Sequence, residues 1–425
     1  MKFDVLVVGA GPAGLNAAKV AAEAGVSVGV VDDNVLPGGQ IWRQGPRYAL
    51  RGPARWVLDA LAQRPNITYL GGTRIVQTLT THELLAQDAR RGFRIGYAKL
   101  ILATGSRERF LPYPGWTLPG VTGAGGLQAL VKGGMPVKGE RIVIAGTGPL
   151  LWAAALTAHE QGARILAIIE QAPSRRVSRF VLDLLAYTPA KLLQATYLRA
   201  ALRATPYWRG AHVIEACGDT RLTGVRVRRS SGTTVRITCD RLACAYGLIP
   251  ETSIGTALGC CPADETSGAA LAVDTWQATS VADIYAAGEC TGVGGVDLAA
   301  VEGRIASYAA LGACAKARAL FATRERQRRF AARMNAAFAL DPQLKTLATS
   351  DTVLCRCEDV SFGAVARHRS WRDAKLHTRC GMGPCQGKIC GTAAAFCLDW
   401  PIDGPRPPLT PARIGTLLQA DGRNI

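Results

Sequence analysis

Residues 4–8 are a short apolar run with β-branched character, which predicts a strand. It leads into Gly9-Ala10-Gly11-Pro12-Ala13-Gly14 and an Ala-rich helical pattern that continues through Glu23 and stops at Gly25. Residues 26–31 read as a second strand, with Asp32 at its end. The same alternation returns along the chain. Residues 100–105 end in Ala103-Thr104-Gly105, residues 141–145 precede Gly146-Thr147-Gly148-Pro149-Leu150-Leu151, residues 165–169 precede Glu170, and residues 283–289 are Asp-Ile-Tyr-Ala-Ala-Gly-Glu. Strands alternating with Ala-rich helices predict an α/β protein built on parallel sheets. The longest apolar stretch, 142–158, is split by its glycine turn into strand and helix, so no membrane span is expected. Between 347 and 398 the texture changes to cysteine and glycine, with one helix predicted over 362–368.

Composition narrows this picture. A chain of 425 residues with 48% hydrophobic residues and 47 glycines suits two to three α/β domains with many tight turns. The first residues carry one Lys and then Asp, without the apolar segment of a signal peptide, and a cytoplasmic location is expected. Part of the net charge of +18 falls on Arg318, Arg324, Arg326, Arg328, Arg329 and Arg333, a helix read as a solvated linker. Only Phe330 interleaves with these arginines, so no nucleic-acid partner is expected.

The first glycine turn carries definite chemistry. Gly9 permits the tight turn, Gly11 lets the backbone approach a pyrophosphate, and Gly14 allows close helix packing, with Pro12 and Ala13 opening the helix. Asp32 would accept hydrogen bonds from a ribose. The second turn repeats Gly146 and Gly148 but has Leu151 at the third glycine position. Glu170 could hold a ribose there and favours NAD over NADP, although Arg175 and Arg176 could reverse that preference. A second nucleotide site and a relic domain, empty or holding a nucleotide structurally, both remain open.

Thirteen cysteines are many for a reducing compartment, and Cys355, Cys357, Cys380, Cys385 and Cys390 lie close together. Such clustering argues for metal rather than disulfides. A 2Fe-2S centre takes four thiolates, two on each iron: Cys355-x-Cys357 can serve one and Cys385-x4-Cys390 the other. Cys380 to Cys385 has the same gap, so spacing leaves five cysteines for four places. Zinc is the competing reading. Cys217, Cys239, Cys244, Cys260, Cys261, Cys290, Cys314 and Cys397 read as small buried hydrophobes. No C-x-x-C redox pair is present, and His82, His159, His212, His368 and His377 are scattered with no legible acid/base constellation, so no side chain is assigned a catalytic role.

Several segments resemble two-dinucleotide-binding flavoproteins. Pro37-Gly38-Gly39-Gln40-Ile41-Trp42-Arg43 resembles their flavin loop, Ala103-Thr104-Gly105 their second fingerprint, and residues 283–289 the third, in which Gly288 and Glu289 would meet the ribityl chain. A helix over 292–306 would aim its positive end at the flavin ring. Together with residues 114–121, Gly-x-Gly-Pro-Leu-Leu at 146–151 and Thr-Arg-Cys-Gly-Met-Gly-Pro-Cys-Gln-Gly at 378–387, these resemble the alpha subunits of heteromeric flavin dehydrogenases. That group includes hydrogen cyanide synthase, opine oxidases and D-hydroxyproline or proline dehydrogenases.

The resemblance implies an FAD domain (1–118 and 242–322) with an inserted NAD(P)-type domain (119–241). A linker (323–349), a BFD-like helical 2Fe-2S domain (350–398) and a Pro-rich tail (399–425) would follow. It selects Cys355, Cys357, Cys385 and Cys390 as ligands. It further implies an electron-transfer subunit whose amino or imino acid is oxidised on a beta subunit similar to D-amino-acid oxidase, carrying its own FAD. An FMN at the subunit boundary and a small ferredoxin-like gamma subunit belong to the same picture. A self-sufficient NAD(P)H-dependent reductase and a cluster-bearing scaffold are the alternatives.

Overall fold

The first sheet is seeded where residues buried on both faces run together. In the computed structural model, which describes residues 1–46, 48–50, 52–263, 270–401, 404 and 406–421, Lys2–Val8 pairs in parallel with Val28–Asp32 on one side and Gly92–Leu102 on the other. Ile67–Gly71 extends one edge. The long strand Gly92–Leu102 changes partner along its length. Its start pairs antiparallel with Glu83–Gln87, and its end runs parallel to Ile284–Ala286. Helix Pro12–Glu23 covers one face with nine buried residues, mostly Ala and Leu, whose small volume lets helix Val296–Ala310 lie against it.

A second parallel sheet has the order Tyr207–Arg209, Arg164–Glu170, Arg141–Gly146, Arg241–Ala245, Val121–Gly123. A three-stranded antiparallel meander, His212–Cys217, Gly224–Arg228 and Thr234–Thr238, packs beside it. Strand Arg241–Ala245 lies within this sheet, so the expected return to the first unit at 242 falls mid-strand. The chain crosses instead at the ribbon of Ser106–Glu108 with Leu248–Pro250.

The arginine-rich segment is not a solvated linker. Phe321–Ala337 is a 17-residue helix in which Arg324 is buried and donates to the Thr275 carbonyl, while Arg328 bonds Glu302 at 3.0 Å. Glu302 in turn accepts from Gly288 N and Thr291 Oγ1, so this helix supports the third predicted flavin segment from behind. Arg328→Met should strip a buried carboxylate of its partner. The expected loss is about 2 kcal/mol, below the usual 3–5 because the Arg328 side chain is about a third exposed, and thermal unfolding would measure it.

The third unit is small. Val353–Cys355 pairs with Val360–Ser361, and helices Phe362–Ala366, Trp371–Thr378 and Cys390–Leu398 enclose Leu354, Val365, Trp371 and Ala394. Trp116 of the second unit anchors it, donating from Nε1 to the Val353 carbonyl at 2.6 Å while Arg356 lies over its ring. Described residues of the expected tail run along the first sheet, Leu409 N donating to Val76 O; residues 402, 403, 405 and 422–425 of it lie outside the described residues. Among the described residues, no helix is long and apolar enough to cross a membrane.

Candidate functional site

The first glycine turn is wedged between strands. A Cβ on Gly9 would stand 2.1 Å from Ala103 O, and one on Gly14 would stand 1.8 Å from Gly9 O. Gly11 has nothing within 4 Å of its Cβ position, so the turn faces open space at the point where a pyrophosphate would approach. The other predicted segments converge on it at the carboxyl ends of the strands, where parallel sheets place ligands. Asp32 Oδ2 accepts from Ala10 N at 2.6 Å, and its Oδ1 accepts from Asn34. Gly39 lies against Gly11, Trp42 packs against the apolar layer beneath, and Gln40 is exposed. A Cβ on Gly288 would meet Ala13 Cβ at 2.8 Å.

Thr104 Oγ1 donates to the Glu251 carbonyl, and the Glu251 N–H donates to Gly105 O. Glu289 accepts from Ser106 Oγ, and burial raises its carboxyl above the ordinary value. The extra methylene of Glu thus reaches the neighbouring fingerprint segment. The helix expected over 292–306 begins at Val296, because Gly292 and Gly295 take φ of 135° and 86° and hold the turn before it.

The second turn copies the first only in part. Gly146 meets Ala245 O as Gly9 meets Ala103 O, but the following helix starts one position later, at Leu150, and Leu151 is fully buried in the core. Glu170 is buried and turned onto the turn itself: it accepts from Thr147 Oγ1, Gly148 N and Ala172 N, each at 2.8 Å. The chain's own segment 338–341 lies across it. Phe338 O accepts from Thr147 Oγ1, Ala339 O from Gln171 Nε2, and Asp341 N donates to Gln171 Oε1, while the Phe338 ring packs edge-on against Phe180.

Burial raises the Glu170 carboxyl to about 7, the three donors opposing only part of that shift. A raised folded value makes the protonated form the stabilising one. Its contribution is full below the ordinary 4.5 and is lost as pH climbs through about 7. The chain should therefore lose on the order of 2–3 kcal/mol of stability over that range. Melting temperatures across the same window should show Glu170→Gln with a flatter profile whatever its absolute stability.

The cysteines assemble from three segments. Cys355 ends its strand, Cys390 starts its helix, and Cys380 follows Arg379, which leaves helix Trp371–Thr378 in left-handed geometry. The Sγ atoms of Cys355, Cys380 and Cys390 lie within 4.8 Å of one another, and all three residues are buried. Cys357 and Cys385 form a second pair at 3.9 Å on the outer side. Spacing left Cys380 undecided; the fold buries it beside two of the selected ligands. The glycines here serve packing: Cβ atoms on Gly381 and Gly387 would lie 2.6 and 3.0 Å from the Trp371 indole, and one on Gly383 would lie 2.3 Å from Cys357 Cβ. Among the other cysteines, Cys239, Cys244, Cys260 and Cys290 are buried as expected, whereas Cys261 and Cys314 are exposed.

Flavin segment and cysteine loop touch. Arg107, next to Ser106, donates to Lys388 O from Nε and pairs with Glu251 at 2.8 Å, while Lys388 Nζ stands 3.6 Å from the same carboxylate. Burial would raise Glu251, but Lys388 and Arg107 outweigh it and hold the carboxyl below its ordinary value. Beside this contact opens a cleft of about 1530 Å³ between the first unit, the cysteine unit and the tail. Its lining includes Arg107, Arg109, Lys345, Arg372, Lys375 and Lys388.

The family model for pyridine nucleotide-disulphide oxidoreductases matches residues 3–310. Over 97% of its length the chain is similar to the A subunit of opine oxidase from Rhizobium meliloti (strain 1021), at 34% identity and covering 98% of that protein. It is similar to the HcnB subunit of hydrogen cyanide synthase from Pseudomonas aeruginosa (strain PAO1) at 33% identity, covering 94% of this chain and 92% of that one. Among solved structures, L-proline dehydrogenase from P. horikoshii shares the fold, with a TM-score of 0.67 over 98% of this chain and 79% of that one at 16% identity. An FAD-type parallel sheet with its glycine turn, extended over nearly the whole length of these relatives, makes the chain an oxidoreductase of the pyridine nucleotide-disulphide oxidoreductase family, in the branch that holds the opine oxidase A subunits and the HcnB subunits of hydrogen cyanide synthase.

Proposed function

We propose that this chain is the FAD- and iron-sulfur-bearing electron-transfer subunit of a heteromeric amino- or imino-acid dehydrogenase, whose substrate is oxidised on a partner subunit. The observation that carries the reading is the direct contact between Arg107, beside the second flavin segment, and Lys388, two residues before Cys390. FAD would supply exchange between two- and one-electron chemistry, and a 2Fe-2S centre would supply one-electron chemistry. The residues present suit both groups. Gly9, Gly11, Pro12, Ala13 and Gly14 offer the open turn, Asp32 an acceptor for ribose, Gly39, Gln40 and Trp42 the flavin loop, and Thr104, Gly105, Gly288 and Glu289 the opposite wall. Cys355, Cys357, Cys385 and Cys390 would supply the four thiolates, with Cys355 beside Cys390 and Cys357 beside Cys385 rather than in the sequence-adjacent pairs expected from spacing.

The relatives are named as subunits, which supports a heteromer. The beta subunit would be of the D-amino-acid-oxidase type with its own FAD, and a small ferredoxin-like gamma subunit fits the same assembly. The basic lining of the cleft beside Lys388 suits the phosphate of an FMN held at the subunit boundary. NAD(P)H use is disfavoured by segment 338–341, which lies across the second glycine turn.

Anaerobic NADH should leave the flavin of the isolated chain oxidised, as should amino acids alone. Adding the beta subunit together with its amino-acid substrate should bleach it. Rapid bleaching by NADH alone would overturn the reading in favour of a self-sufficient reductase.

A further inference from the structure

Three donor side chains converge on the outer side of the cysteine unit, away from its thiols. Asp373 stands in the first turn of helix Trp371–Thr378 and His377 in its last, one helical turn apart, which puts them on one face. His368 follows helix Phe362–Ala366 and is brought alongside by the turn at Ser370, whose Oγ accepts from Asp373 N. The two imidazoles present the same atom to the same carboxylate. His368 Nδ1 lies 3.1 Å from Asp373 Oδ2, and His377 Nδ1 lies 3.1 Å from Asp373 Oδ1. The rings face each other, planes 17° apart and centroids 5.2 Å apart, and all the donor atoms fall within 4.8 Å of one another.

That spacing is close to that of a coordination shell. Ligands at about 2.0–2.2 Å from a tetrahedral cation stand about 3.3–3.6 Å from each other, a few tenths of an ångström beyond the 3.1 Å contacts here. His377 Nδ1 also lies 3.0 Å from the Asp373 carbonyl oxygen, which can only accept, so in the unliganded chain Nδ1 carries the ring proton and a cation would take its place there.

We propose that His368, Asp373 and His377 form a site for a borderline divalent cation such as Zn2+. Two neutral imidazoles and one carboxylate would bind it, with the remaining coordination open to solvent. Such a cation would staple the end of helix Phe362–Ala366 to helix Trp371–Thr378. The second helix carries Trp371, which packs on Gly381, Gly387 and Gly391 of the cysteine loop, so the staple would stiffen the wall behind the thiols. Neighbouring Arg367, Arg369, Arg372 and Lys375 oppose a dication and set its affinity below that of a closed four-ligand site.

The test adds ZnCl2 to the full-length chain by equilibrium dialysis, with iron measured in the same samples to account for uptake at the cysteines. One zinc per chain with unchanged iron is expected. Binding should weaken at least about tenfold in His377→Gln and in Asp373→Asn, since even groups that only orient a ligand are worth that much. Equal uptake by wild type and both variants overturns the proposal, as does no uptake with iron intact. If the variants lose flavin or iron, the wild type decides through the EPR spectrum of added Cu2+. Coupling to two imidazole nitrogens supports the site, and its absence overturns it.

Discussion

Replacing Cys390 by alanine should abolish the proposed iron-sulfur centre, and with it the electron passage proposed beyond the flavin, while leaving the flavin in place. Cys390 belongs to the buried part of the constellation. It is buried, it lies within 4.8 Å of Cys355 and Cys380 Sγ, and it opens helix Cys390–Leu398, so its position is fixed by that helix's packing. Losing one of four thiolates leaves an iron undercoordinated, an all-or-none fault rather than a graded one. Iron and sulfide analysis with EPR of the reduced protein reads the loss, and flavin absorbance supplies the control, because Cys390 packs in the core of the cysteine unit with Leu354, Trp371 and Ala394.

The same assay ranks the fifth thiol. With Cys355, Cys357, Cys385 and Cys390 as ligands, Cys380→Ala should keep the cluster at full occupancy. It should also lower its potential, because a neighbouring S–H that could donate to the cluster sulfurs would be gone. Loss of iron in Cys380→Ala together with retention in Cys385→Ala would move the ligand set to the buried triad.

What could be read from the chain follows from the range over which sequence acts. Strand, turn, helix and acid in the first unit are set by neighbours within about thirty residues, and Lys2–Val8, Pro12–Glu23 and Val28–Asp32 appear where hydrophobic periodicity puts them. The arginine helix was legible as a helix but not as a support, because Glu302 and Thr275, which Arg328 and Arg324 engage, lie far back in the chain. Glu170 occupies the position of a ribose ligand. Its carboxylate accepts from Thr147, Gly148 and Ala172, and residues 338–341, some 170 positions away, cover the turn. Periodicity carries no trace of such a covering segment.

Cys380 and the histidines illustrate the same limit. Equal gaps on either side of Cys385 could not order five thiols; burial separates three from two. The histidines read as scattered in the sequence, because the arrival of His368 beside Asp373 and His377 depends on a turn between two short helices. The glycines around Cys385 make room for Trp371 and Cys357, partners that the local pattern does not reveal.

Gly14→Val should yield a chain purified almost without flavin and destabilised by about 3 kcal/mol or more. A Cβ at this position would stand 1.8 Å from Gly9 O and 3.1 Å from Val7 Cγ1, so the added atoms meet backbone, which cannot rotate away as a side chain can. Overpacking against side chains costs about 1–3 kcal/mol, and a backbone obstacle belongs at or above the top of that range. Relief by tilting helix Pro12–Glu23 outward is blocked on the other side, where a Cβ position on Gly303 already lies 2.1 Å from Ala13 O, leaving helix Val296–Ala310 no slack.

The strain therefore falls on the turn. Moving Gly9 breaks its fit against Ala103 and turns the Gly11 backbone away from the open space that the pyrophosphate of FAD would fill. The flavin-to-protein absorbance ratio after purification and the melting temperature both read the effect. Gly415→Ala, with nothing within 4 Å of the new Cβ, should change neither. Full flavin occupancy in Gly14→Val would mean that the cofactor is held elsewhere, and the first glycine turn would then be a packing device alone.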